Sequence, residues 1–142
     1  VFRTAAVAGA LALNLNPSPP SIVDVDIPIE TLLAVMVPAS LLVIGPAEEL
    51  LFRGTVQKYL RERFSPTAAI LGAGVLFAVI HVLALVTATG VGVALSLGII
   101  FVVGLSFGWL YERTGTVVAP MVAHGAYNAL IFGSGLLLTR LV

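Results

Sequence analysis

The chain has no cysteine, only two aspartates and two histidines among its 142 residues, and a charged fraction of 10% against about 25% in ordinary soluble domains. Each shortage excludes something. Without cysteine there are no disulfides, no thiol nucleophiles and no thiolate metal ligands. Both aspartates, Asp24 and Asp26, fall in one proline-rich stretch, so an aspartyl dyad inside a membrane is not available. A formal net charge of zero gives no attraction to nucleic acid. There is no HExxH run of the kind that zincin-like proteases place on a helix. No cleavable signal peptide can be recognised at the N-terminus.

What the chain has in quantity is apolar residue. Its hydrophobic fraction is 59% and its mean hydropathy +1.12. Long apolar runs carrying helix-spaced polar residues fit helices better than the alternating short strands of a membrane barrel. The expectation is an all-α, polytopic transmembrane bundle of about five spans, forming a single membrane domain over residues 1–142. Val1 to Leu15, short of the roughly 20 residues a span needs, reads as the remnant of a truncated first helix. Asn16 to Glu30 carries four prolines and three acids and reads as a loop. Thr31 to Leu60 is a long second span, with a kink expected at Gly45-Pro46. Ser65-Pro66 is an N-cap followed by proline at the first helical position, opening a third span to Val86. A turn at Thr87 to Gly90, a fourth span from Gly92 to Leu110, a loop at Tyr111 to Thr116 and a fifth span from Val117 to Leu138 complete the reading.

That topology gathers Arg3, Lys58, Arg61, Arg63 and Arg113 on one side and leaves Arg140 on the other. The positive-inside rule then makes the basic loops, Lys58 to Arg63 and Arg113, cytoplasmic in a multi-pass integral membrane protein. Gly104 and Gly108 form a GxxxG, and Gly125, Ala129 and Gly133 a small-residue stripe, both read as close packing between helices of one chain.

The polar residues inside the apolar segments are few and costly, at roughly 2.5 to 3.5 kcal/mol each near mid-membrane. Glu49 and Arg53 are four apart with the acid first, the favourable order for an ion pair on one helix face. Glu48 points about 100° away and needs a partner from elsewhere. His81 lies in the third span; His124 and Asn128 share a face of the fifth. Helix counting puts Glu48 about 15 Å from Lys58 and His124 about 16 Å from Arg113, with His81 about 22 Å beyond Pro66 and therefore deeper. Ser134, ten residues past His124, is too near the end of its span to act with it. A carboxylate and an imidazole can deprotonate water, and an imidazole with an amide can hold a tetrahedral oxyanion. Glu48, His81 and His124 would equally satisfy a three-ligand zinc site with an open water position.

At Glu48-Glu49-x-x-x-Arg53, Phe77-x-x-x-His81 and His124-x-x-x-Asn128, each in an apolar segment and in this order, the sequence resembles the CPBP group of intramembrane proteases, which includes the type II CAAX prenyl endopeptidases and the Abi proteins. The resemblance covers residues 31–138. It implies a peptidase buried in a helical bundle, with Glu48 and His81 activating water, His124 and Asn128 stabilising the oxyanion, and Glu49 and Arg53 supporting the site. It also implies a membrane-associated peptide or lipidated protein as substrate, prenylated C-terminal motifs being the class the family suggests. No cofactor is favoured: zinc on Glu48, His81 and His124 would take His124 away from the oxyanion, so a metal-independent hydrolase is expected. Two readings of other classes stand beside this one. The first is a non-catalytic membrane scaffold or immunity protein that keeps the polar cluster for assembly. The second is a proton-coupled carrier, against which the chain offers no internal repeat.

Overall fold

The computed structural model describes residues 27–82 and 91–141, and among them the fold is wholly helical. We number four helices: α1 Ile29–Arg61, α2 Pro66–Ile80, α3 Val91–Thr114 and α4 Val118–Thr139. Three of them, α1, α3 and α4, are long and apolar enough to cross a membrane, and α2 is a shorter apolar helix. The described residues therefore provide three candidate spans where about five were expected. The expected first span, Val1 to Leu15, and the turn at Thr87 to Gly90 lie outside the described residues.

α1 is continuous over 33 residues but is not uniformly α-helical. Ser40–Ile44 and Leu50–Gln57 are π-helical and bracket the short α-helical piece Gly45–Glu49. The kink expected at Gly45-Pro46 is thus a junction between two helical windings. Proline has no N–H to give to the helix ladder, and π turns within α-helices occur frequently at functional sites.

α2 begins as its sequence dictates, with Ser65 Oγ accepting from Ala68 N at 3.3 Å and Pro66 at the first helical position. α3 runs on through Tyr111 to Thr114, where a loop was expected. The run is polar but holds no helix breaker until Gly115, whose φ of +67° ends the helix and lets its N–H reach Tyr111 O at 2.9 Å.

α2 packs along α3, and α1 along α4. The buried apolar side chains are few: Leu33, Phe52, Ala69, Ala73, Phe77, Ala78, Phe107 and Phe132. Large apolar residues such as Leu42 and Leu130 stay about three-quarters exposed, at 76% and 74%. That is the distribution expected where lipid is the solvent and helices associate by close contact, not by hiding oil from water.

Candidate active site

Two glycines set the position of everything that follows. A Cβ on Gly45 would lie 2.8 Å from Gly125 N, and one on Gly125 would lie 3.0 Å from Leu41 Cα. α1 and α4 therefore touch backbone to backbone, as small residues in membrane helices allow. Glu48 and Glu49 follow Gly45 by one turn, and His124 precedes Gly125, so the contact delivers acids and imidazole to one place.

Glu49 and Arg53 are completely buried and pair at 2.7 Å, as their spacing predicts. The pair is not isolated. The same oxygen, Glu49 Oε1, accepts a second bond from His124 Nδ1 at 2.8 Å. Arg53 Nη2 donates to the backbone carbonyl of Gly104 at 2.6 Å, and its guanidinium sits 5.0 Å from the ring centre of Phe77 and 5.7 Å from that of Phe107. Phe107 also stacks on the His124 imidazole, with centroids 4.8 Å apart and planes 23° from parallel.

Glu48 faces the other way. Its Oε2 stands 3.7 Å from His124 Nε2 and 3.9 Å from His81 Nε2, too far for a direct hydrogen bond and the separation at which a bridging water is the first candidate. His81 Nδ1 donates to Phe77 O at 2.6 Å, a carbonyl that can only accept. In a neutral His81 this assigns the ring proton to Nδ1 and leaves Nε2 as an acceptor directed at Glu48. Side-chain exposure falls from 32% at Glu48 through 14% at His81 to 5% at His124, so the carboxylate is the most exposed of the three. All three, with Asn128, Tyr127 and Ser96, line one cavity of about 410 Å³ whose remaining wall is apolar, including Met36, Ile44, Ile99 and Ile131.

Four residues singled out in the sequence from three helical segments, Glu48, His81, His124 and Asn128, thus converge on one cavity. Ser134 is not among its lining residues and bonds to Ile131 O at 2.9 Å. Among the described residues no group of three His, Cys, Asp or Glu side chains is arranged to hold a metal ion.

Sequence reasoning missed the lower half of the polar seam. Gln57 is completely buried, and its Nε2 donates to Gly108 O and to Glu112 Oε1, each at 3.0 Å. Glu112 in turn pairs with Arg61 Nε at 3.2 Å. The signal was present as a four-residue recurrence, Glu49, Arg53, Gln57 and Arg61 on α1 opposite Gly104, Gly108 and Glu112 on α3. The GxxxG of α3 serves contact within the chain, and its two carbonyls accept the buried donors of α1.

Fold and site together define a helical membrane protein with a carboxylate and two imidazoles gathered at an apolar cavity within the bundle. A family model, type II CAAX prenyl endopeptidase Rce1-like, matches residues 30–130. The match covers well over half of the chain and includes Glu48, Glu49, Arg53, His81, His124 and Asn128, and the chain belongs to this family of membrane proteases. No curated protein and no solved structure matches it.

Proposed function

We propose that this chain is an intramembrane endopeptidase that hydrolyses a peptide bond in a membrane-associated substrate, prenylated C-terminal sequences being the class its family suggests. The observation that carries the reading is the placement of one Glu48 oxygen within 4 Å of Nε2 on both histidines, in the wall of a largely apolar cavity. A water held between Glu48 and His81 Nε2 gives a proton to Glu48 as its oxygen attacks the substrate carbonyl carbon. The carbonyl oxygen becomes an oxyanion, to which the Asn128 amide donates, together with His124 Nε2 when that ring has taken a second proton from solvent before the attack. The proton on Glu48 then passes to the amide nitrogen as the C–N bond breaks, giving a carboxylic acid and an amine. Arg61 and Glu112 bond to each other, so the basic ends of α1 and α3 lie at one end of the bundle; we place Lys58 to Arg63 and Arg113 on the cytoplasmic side.

The reaction is proposed without metal. Hydrogen bonds at both Nδ1 atoms would also orient zinc ligands, but zinc would remove His124 from the oxyanion and leave Asn128 alone there. The test of the whole reading is cleavage of prenylated and unprenylated reporter peptides by purified protein in detergent or vesicles, set against Glu48→Gln. Cleavage that disappears in Glu48→Gln supports it; equal cleavage by both proteins overturns it.

A further inference from the structure

We propose that Glu49 is a positioning residue for His124, holding its ring proton on Nδ1 and supplying the countercharge when the ring carries two protons. The inference rests on the protease reading for its consequence but not for its geometry. Glu49 Oε1 lies 2.8 Å from His124 Nδ1 and 2.7 Å from Arg53 Nη1. A carboxylate paired that closely with a guanidinium is ionised and can only accept, so Nδ1 donates. A ring turned by 180° about its Cβ–Cγ bond would put carbon against Glu49 and lose that bond. Stacking on Phe107 opposes any tilt, and Arg53 cannot carry Glu49 aside because Gly104 O holds its other nitrogen at 2.6 Å.

The consequence is a count of protons. A neutral imidazole has one N–H, and here it is committed to Glu49. Nε2 then faces Glu48 and the cavity as an acceptor, and it can donate to an oxyanion only after taking a second proton. The resulting imidazolium would have a buried carboxylate on its far side, the arrangement by which an acid behind a histidine fixes its tautomer and stabilises its charge in hydrolytic triads. His81 is different: its Nδ1 is backed by the uncharged carbonyl of Phe77. The two imidazoles, both near one Glu48 oxygen, are therefore unequal: only His124 has a carboxylate behind its Nδ1.

The chain has only two histidines, which makes the test clean. In His81→Gln protein labelled with 15N-histidine, the nitrogen resonances report His124 alone. With Glu49 present they should show the proton on Nδ1. In the Glu49→Leu/Arg53→Met variant they should show it moved to Nε2. Replacing both partners of a buried ion pair with apolar residues is tolerated far better than removing one, and helicity with elution as a single species in detergent confirms that the variant folds. With His81 retained, the double variant should lose kcat on the order of 100-fold at near-constant KM. Glu49→Gln keeps an acceptor but leaves Arg53 without its countercharge, so in the fraction that elutes as a single helical species it should keep the tautomer and still lose kcat. An unchanged tautomer in the double variant overturns the positioning role, and full kcat in Glu49→Gln overturns the charge role. If the wild-type protein cleaves nothing, the protease reading fails while the resonances still decide the tautomer.

Discussion

Gly45 and Gly125 meet backbone to backbone, with room for no Cβ on either: the methyl of an alanine at 45 would sit 2.8 Å from the Gly125 nitrogen. Because that contact seats His124 against both acids of α1, Gly45→Ala should separate α1 from α4 and abolish activity, with a large loss of thermal stability in detergent. Retained stability together with retained cleavage would show that the helices meet differently.

Gly108 offers a graded comparison. A Cβ there would also come within 2.8 Å of a neighbour, but the neighbour is Gln57 Oε1, the end of a side chain that can rotate. Gly108→Ala should therefore cost less than Gly45→Ala. Gln57→Leu removes two hydrogen bonds at once, each worth about 0.5 to 1.5 kcal/mol. Denaturation midpoints of the three variants, in the order Gly45→Ala below Gln57→Leu and Gly108→Ala, would check this.

The two adjacent acids should separate folding from chemistry. Arg53→Met strands Glu49 in the core and should cost about 3 to 5 kcal/mol, the usual penalty for removing one partner of a buried pair. Glu48 is one-third exposed and among the described residues has no ion-pair contact shorter than 3.7 Å, so Glu48→Gln should fold normally and fail to cleave. Thermal melts beside a cleavage assay would expose the opposite assignment.

Exhaustive chelation with an agent that enters micelles should leave activity intact, and elemental analysis should find no stoichiometric zinc. Activity that is lost on chelation and regained with one equivalent of zinc would instead make Glu48, His81 and His124 ligands.

Much of the frame was legible in the sequence because membrane helices are written in composition. α1, expected from Thr31 to Leu60, runs Ile29–Arg61, and α4, expected from Val117 to Leu138, runs Val118–Thr139. The pairing of Glu49 with Arg53 was legible because four-residue spacing is a property of one helix. Its second partner, His124, is 75 residues away, and only the approach of two glycine backbones determines that contact. The π segments were not legible, since nothing in their composition distinguishes an N–H bonded five residues back from one bonded four back. Depth counting had set His81 apart from Glu48. The structure brings them together because α1 continues past Lys58 to Arg61 before α2 begins, which takes up about 5 Å of the difference.

The seam between α1 and α3 also fixes an index. Glu49, Arg53, Gln57 and Arg61 fall one per turn, and so do Gly104, Gly108 and Glu112, so the two helices mesh like rack and pinion. A slip of one turn, about 5.4 Å, would still offer a carbonyl to some donors, but Gln57 or Arg61 would lose Glu112. A misassembled bundle would therefore keep a nearly native shape while its buried donors paired out of register, and the family signature residues, all present, would give no sign of it.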